Sequence, residues 1–217
     1  MNILITGTSM GIGKAIAEKF LLEDHSVFGI DRLESNINHS NYTHYVCDVR
    51  DTNHYPQFPF DFDIIINNAG TQNDDDIAIN LVGAIDITEN YLSHRIKSVL
   101  MIGSASAHTG AEFPKYAASK GGLLSYTKNV AMRISEFGAT CNSLDPGGVL
   151  TDLNKPVLDD PDLWQQIMDI TPLKRWATPE EIADWAYFLT VNNKFMTGQN
   201  LLIDGGEACR FNFIWPN

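Results

Sequence analysis

Hydrophobic positions along the chain follow two patterns that alternate. Short, near-continuous runs of Ile, Leu and Val recur at Asn2 to Thr6, Ser26 to Ile30, His44 to Cys47, Asp63 to Asn67, Ser98 to Gly103, Thr140 to Leu144 and Asn200 to Ile203. Runs of that length without polar alternation predict strands buried on both faces. Between them lie stretches with helical spacing. Gly13 to Glu23 places Ile16, Ala17, Phe20 and Leu21 on one stripe, and Ile77 to His94 repeats Ile77, Leu81, Ile85, Thr88 and Leu92. A third helix is expected from about Pro114 to Glu136. A fourth starts at Thr178-Pro179-Glu180-Glu181, where Thr178 caps, Pro179 suits the first helical position and Glu181 completes a capping box. Strand and helix in alternation predict the α/β class: a doubly wound, seven-stranded parallel sheet with helices on both faces, in a single domain spanning residues 1–217.

Two crossovers break the pattern. Leu33 to Tyr42 is polar and rich in Asn and Ser, a weak helix at best. Asp48 to Phe62 carries Pro56 and Pro59 with few periodic apolar residues, so a loop is expected where a crossover helix normally runs, leaving that face thinly covered.

Composition narrows the function classes. With 217 residues, 44% of them hydrophobic and 19% charged, the chain can bury a full core, which excludes disordered, collagen-like and disulfide-scaffold readings. Its 15 Lys+Arg against 27 Asp+Glu give a net charge of −12, with no basic run. That disfavours nucleic acid and anionic membrane surfaces, both of which are held through cationic side chains. Cys47, Cys141 and Cys209 form no CxxC pair, pointing to a reducing compartment and away from structural zinc. With neither a signal-type start nor a stretch of membrane-spanning length, the cytoplasm is the expected location.

Directly after the first strand comes Thr6-Gly7-Thr8-Ser9-Met10-Gly11-Ile12-Gly13, opening a helix. Gly7 permits a tight turn, Gly11 lets backbone approach a pyrophosphate, and Gly13 allows close packing of helix on strand. The helix N-terminus adds free N–H groups and a positive dipole end. Asp31 ends the second strand about 20 residues further on, where a carboxylate accepts ribose hydroxyls and repels a 2′-phosphate. This favours NAD(H), with NADP(H) kept open because Arg32 is adjacent. Tyr116-Ala117-Ala118-Ser119-Lys120 sets a phenol and an ammonium at i and i+4 on one helix face, where the cation can draw the phenol pKa toward neutrality. Alone, that spacing reads more simply as a solvated pair.

The ordered set of these motifs, from residue 6 to residue 206, resembles the short-chain dehydrogenase/reductase family, whose fold is of the Rossmann type. Thr6 to Gly13 is similar to its glycine loop, Asn67-Asn68-Ala69-Gly70 to its NNAG motif, and Pro146-Gly147-Gly148-Val149-Leu150-Thr151 to its PGxxxT segment. Thr197-Gly198-Gln199 through Asp204-Gly205-Gly206 is similar to its C-terminal signature. The resemblance implies a catalytic set of Asn80, Ser104, Tyr116 and Lys120. Tyr116 is then the general acid or base, Lys120 holds the nicotinamide ribose and lowers the Tyr116 pKa, Ser104 orients the substrate oxygen, and Asn80 holds a water. It also implies cofactor contacts from Gly7, Ser9, Gly11, Ile12, Gly13, Asp31, Asn68, Ala69, Gly70, Tyr116, Lys120, Gly147, Val149 and Thr151. Asp48 and Val49 resemble the family's adenine-contacting pair, although a capping Asp is an equal reading. Ser106 is read as a loop hydroxyl, His108 is given no role, and Asp74-Asp75-Asp76 is expected to favour a helix start; no metal is expected.

Members of the family are commonly longer, and the deficit falls between Asp48 and Asn67 and between Gly70 and Asn80. A homodimer or homotetramer is implied, with the shortened interface helix bearing on which. Substrate identity is expected in a flap at about Asp152 to Trp176, with Leu153, Leu158, Leu163, Trp164, Ile167, Met168 and Trp176, and Phe211, Phe213 and Trp215 form an aromatic tail. The expected activity is hydride transfer between NAD(H) and a secondary alcohol or ketone. Two alternatives are a catalytically quiet dinucleotide-binding regulator and reduction of a C=C bond.

Overall fold

In the computed structural model, which describes residues 1–209, all seven aliphatic runs join one parallel sheet. The strands are β1 (Asn2–Thr6), β2 (Ser26–Asp31), β3 (Tyr42–Val46), β4 (Ile64–Asn67), β5 (Ser98–Ile102), β6 (Thr140–Pro146) and β7 (Asn200–Ile203), in the order β3-β2-β1-β4-β5-β6-β7. The order reverses at β1, whose Ile5 lies opposite Gly29 of β2 on one side and Ile66 of β4 on the other. At such a switch point the loops leaving the carboxyl ends of the strands diverge and open a crevice.

Among the described residues seven α-helical segments accompany the sheet: α1 (Gly11–Leu22), α2 (Gly83–Tyr91), α3 (Ser106–Thr109), α4 (Pro114–Ile134), α5 (Lys155–Leu158), α6 (Pro161–Ile170) and α7 (Pro179–Tyr187). The strand pleat sends successive side chains to opposite faces. Ile3, Ile5, Ile64, Ile66, Leu100 and Ile102 therefore meet Ile16 and Phe20 of α1 and Ile182 and Ala186 of α7. Leu4, Ile65, Val99 and Met101 meet Ile87 of α2 and Leu123, Val130 and Ile134 of α4. The expected capping box is present at α7, where Glu181 N–H donates to Thr178 Oγ1 at 3.3 Å and Thr178 N–H donates to Glu181 Oε2 at 2.9 Å.

Around the site, the structure departs from the sequence reading at the Ile77 helix, at β3 and between β3 and β4. The Ile77 helix begins as a π-helical turn, Ile77–Val82, before α2 takes over and stops at Tyr91. β3 begins at Tyr42 rather than His44, because an edge strand is half solvated and its Tyr-Thr-His start carries no aliphatic signal. The chain between β3 and β4 is indeed a loop with one short turn at Thr52–His54, but the sheet beneath it is well covered. Phe58, Phe60 and Phe62 pack on Phe28 with ring centroids 5.0 to 5.7 Å away, and Phe58 and Phe62 sit 4.8 Å apart. Tyr91 closes the cluster and donates to Pro56 O at 2.8 Å. Aromatic rings thus replace the crossover helix. The tail residues Phe211, Phe213 and Trp215 lie outside the described residues.

Candidate active site

The glycine loop leaves β1 with Gly7 at φ +75°, and the conformation is enforced by packing: a Cβ on Gly7 would lie 2.7 Å from Asn68 Nδ2, and one on Gly13 would lie 2.0 Å from Gly7 O. Gly7 O is backbone and Asn68 Nδ2 is held by two hydrogen bonds, so neither can give way and only glycine fits. Thr6 and Asn68 stitch the loop to the end of β4. Thr6 Oγ1 accepts from Asn68 N–H and Ala69 N–H, each at 3.0 Å, and Asn68 Nδ2 donates to Thr6 O and Gly7 O, also at 3.0 Å. The Asn68 side chain is therefore committed to shaping the loop. Gly11, at φ +56°, has only Thr151 within 4 Å of its Cβ position, and Met10 offers no side-chain cap to α1. An uncapped helix N-terminus beside a bare glycine suits a pyrophosphate, so the cradle fits a dinucleotide.

Asp31 reaches back to this loop, accepting from Ser9 N–H at 2.9 Å and from Leu33 N–H at 3.0 Å. Asp48 accepts from Arg50 N–H at 2.9 Å and pairs with the Arg50 guanidinium at 2.7 Å, which holds its carboxyl below the usual range. Asp48 thus closes a local turn on Arg50 and caps no helix, the short turn at Thr52–His54 being entered from Asp51 without a side-chain cap. Val49 is buried and its methyl would meet a Cβ on Gly83 at 2.7 Å. On the far wall, Gly147 packs on Asp204, Val149 is buried in a bridge to Ala177, and Thr151 lies over Gly11.

Asn80, Ser104, Tyr116 and Lys120 come from the π turn, the end of β5 and α4. Asn80 is buried, accepts from Thr71 N–H at 2.7 Å, and donates to Thr71 O at 2.9 Å and Ser119 Oγ at 3.1 Å. Gly70 marks the centre, since its Cβ position lies 3.2 Å from Asn80 Oδ1 and 3.6 Å from Lys120 Nζ. Lys120 is 5% exposed and donates to Ile102 O at 2.9 Å; burial lowers its pKa to about 8, against the opposing carboxylates of Asp145, Asp76 and Glu112. Burial also pushes the Tyr116 phenol up to about 12, with the Ser104 hydroxyl pulling it down and Glu112 and Asp76 adding to the rise. The expected lowering by Lys120 is not realised: its ammonium lies 5.8 Å from the centre of the Tyr116 ring, and desolvation dominates. Ser106 opens α3 and is buried, not a loop hydroxyl, with its N–H donating to Ser104 Oγ at 3.1 Å.

One pair at this end of the sheet escaped the sequence reading. His108 Nε2 lies 2.6 Å from Oδ2 of Asp145, a carboxylate at 0% exposure on β6. An acid directly before Pro146-Gly147 was the only signal available. Asp74 to Asp76 lead into the π turn, with Asp76 buried at its N-cap: Asp75 pairs with Arg50 at 3.2 Å and Asp76 accepts from Asn73 N–H at 3.2 Å. In the flap, Met168 and Trp176 are buried, with Trp164 edge-on to Trp176 at 5.1 Å, whereas Leu153, Leu158 and Leu163 are exposed. Among the described residues no helix is long and apolar enough to cross a membrane.

Residues 7–207 match a family model described as enoyl-(acyl carrier protein) reductase. A 3-oxoacyl-acyl-carrier-protein reductase of Buchnera aphidicola is 29% identical over 93% of this chain and 95% of its own length. An L-rhamnose 1-dehydrogenase (NADP(+)) of Thermoplasma acidophilum is 34% identical over 55% of this chain and 48% of its own. The solved structure of a short chain dehydrogenase family protein from Francisella tularensis superposes with a TM-score of 0.83 at 28% identity, covering 96% of this chain and 99% of that one. These relatives are reductases and dehydrogenases, and none supports the quiet-regulator alternative.

Proposed function

Because this chain belongs to the short-chain dehydrogenase/reductase family, and so transfers hydride between a nicotinamide dinucleotide and an alcohol or ketone, we propose that Tyr116 is its general acid/base, with Ser104, Lys120 and Asn80 as partners. The observation that carries this reading is the convergence at Gly70, where Asn80 Oδ1 and Lys120 Nζ both lie within 4 Å of one point. The nicotinamide supplies or accepts the hydride. The chain's own groups manage position and protons. With its pKa near 12 in the free chain, Tyr116 is a phenol at neutral pH, the form that donates a proton to a carbonyl oxygen during reduction. Ser104, fixed by Ser106, orients that oxygen by a hydroxyl contact. Asn80, rigidly held by Thr71 at the π turn, borders Lys120 where a proton-carrying water fits. π turns recur at functional sites because they redirect a side chain out of the regular helical path.

In the same proposal Gly7, Ser9, Gly11, Ile12 and Gly13 hold the pyrophosphate. Ala69, Gly70, Gly147, Val149 and Thr151 line the nicotinamide half, Lys120 holds its ribose, and Asp48 and Val49 border the adenine. Asn68 serves through the loop it shapes. The cofactor is NAD(H), because the Asp31 carboxylate, oriented by Ser9 N–H and Leu33 N–H, accepts ribose hydroxyls and repels a 2′-phosphate. The name of the rhamnose dehydrogenase points the other way, and Arg32 is the residue through which that outcome would arise. Self-association to a homodimer or homotetramer belongs to the same reading, as does action on a carbonyl rather than the C=C bond that the family description names.

The test is to titrate NADH and NADPH separately by nicotinamide fluorescence, then to add ketones, 3-oxoacyl thioesters, aldose-derived ketones and enoyl thioesters while following nicotinamide absorbance. Tighter NADH binding with ketone-dependent oxidation supports the proposal. Preferential NADPH binding overturns the cofactor assignment, and turnover confined to enoyl thioesters overturns the carbonyl assignment.

A further inference from the structure

A second charged cluster lies beneath the catalytic loop. Asp145, at the end of β6, is fully buried, and its side chain projects across to the end of β5, where a Cβ on Gly103 would collide with Oδ1. Gly103 is therefore glycine because the carboxylate occupies its side-chain space. Oδ2 holds His108 Nε2 at 2.6 Å, while Oδ1 is buried with no hydrogen-bond partner among the described residues. Burying an ionised carboxylate with one oxygen unpaired is costly unless another charge compensates. Two groups are placed to compensate: His108, in direct contact, and Lys120, itself buried, which donates to Ile102 O one residue before Gly103.

The same cluster anchors the chain that delivers Ser104. Gly103 N–H donates to Leu144 O and Ala105 N–H to Pro146 O, each at 2.8 Å, so the segment is clamped on both sides of Ser104 by residues flanking Asp145. From there α3 lasts four residues, ends at Gly110 in the left-handed region, and, among the described residues, has His108 as its only side-chain hydrogen bond to β6.

We propose that Asp145, tethered by His108, is a positioning residue for the reaction: it fixes the 103–108 segment that presents Ser104 and supplies the buried negative charge that partners Lys120. This rests on the roles proposed above for Ser104 and Lys120. The groups facing Lys120 are Asp145 from β6, Asp76 from the segment ahead of the π turn, Glu112 from the loop ahead of α4, and Tyr116 on its own helix. Burial raises the Asp145 carboxyl above its usual range, and the groups facing it that pull it back toward the charged form are His108 from α3, Ser143 on its own strand and Lys120 from α4. Among the carboxylates Asp145 raises the Lys120 pKa most, which fits the placement.

The direct test needs no turnover. Isotope-labelled lysine side-chain NMR on the unliganded chain, with Lys120 assigned by its absence in Lys120→Met, reads the ammonium titration. Its midpoint falls near pH 8 in the natural chain and about one unit lower in Asp145→Asn, where the opposite charge is gone. An unchanged midpoint in a folded Asp145→Asn chain overturns the charge-partner role. His108 variants test the tether and decide the matter if Asp145→Asn does not fold. His108→Ala is expected to lower kcat about tenfold through misplacement of Ser104, and His108→Gln, which keeps a donor for Asp145, to recover most of it. A silent His108→Ala, or a Gln variant as impaired as Ala, overturns the proposal. Turnover surviving in Tyr116→Phe would instead bring down the catalytic assignment on which it rests, a failure visible independently of the lysine titration.

Discussion

Replacing Thr6 by Val removes one oxygen at nearly constant shape and so isolates what that oxygen does. Thr6 is 2% exposed, and its Oγ1 is the acceptor for two backbone donors, Asn68 N–H and Ala69 N–H. In Thr6→Val both lose their partner, and neither can rotate away, because the same stretch is pinned by Asn68 Nδ2 on Thr6 O and Gly7 O. An orphaned buried donor costs about 1–3 kcal/mol. Two of them would cost about 2–6 kcal/mol, and partial water access at residues 68 and 69 trims this to about 2–4 kcal/mol. For a chain of this size that lowers Tm by roughly 10 °C. Urea unfolding should give the same loss from the shift of the midpoint at constant slope, and Thr6→Ser, which keeps the acceptor, should stay close to the natural chain. The glycine loop is shaped by these same bonds, so Thr6→Val is also expected to weaken dinucleotide binding. A Thr6→Val chain within about 0.5 kcal/mol of the natural one, a typical surface-substitution effect, would refute the reasoning.

Asp31→Ala should weaken NADH by about tenfold or more while sparing NADPH, as expected for losing hydrogen bonds to an ionised acceptor; an unchanged ratio of the two dissociation constants would reject the ribose role. Lys120 titrates near 8 when folded against 10.5 ordinarily, so the unfolded chain holds its proton more strongly. The burial therefore costs about 3 kcal/mol below pH 8, a cost relieved as pH rises from 8 toward 10.5. The natural chain should accordingly gain stability as pH rises from 8 toward 10.5 and Lys120→Met should lose that rise, while its turnover is lost; thermal melts across pH check this. Phe62→Ala removes a 1%-exposed ring from the aromatic cover of the sheet and should cost about 3–5 kcal/mol in chemical denaturation without altering NADH affinity.

Strands buried on both faces announce themselves as uninterrupted aliphatic runs, which is why β1, β4 and β5 stood out in the sequence while the half-solvated edge strand β3 lost its first two residues. The absence of a helix between β3 and β4 could be read from Pro56 and Pro59. What fills the gap could not, because Phe58, Phe60 and Phe62 cover the sheet through ring packing that obeys no helical period. The glycine loop and the Tyr116–Lys120 pair could be picked out because each depends on spacing along the chain, whereas Asn80 and Ser104 came from the family resemblance alone. The Tyr116 pKa was misjudged because it depends on desolvation, a property of the assembled interior. Asp145 and His108 were missed for the same reason: they meet only when β6 is laid beside β5.

The central claim is that Tyr116 carries the proton while the hydride moves, and Tyr116→Phe tests it with the loss of a single oxygen. Binding of NADH by fluorescence and single-turnover ketone reduction by nicotinamide absorbance should be measured on the same protein. The account predicts an NADH dissociation constant within about threefold of the natural chain and a rate reduced by about 100-fold or more, the scale of a lost general acid. A Tyr116→Phe chain that binds NADH and reduces ketone at the natural rate would contradict it.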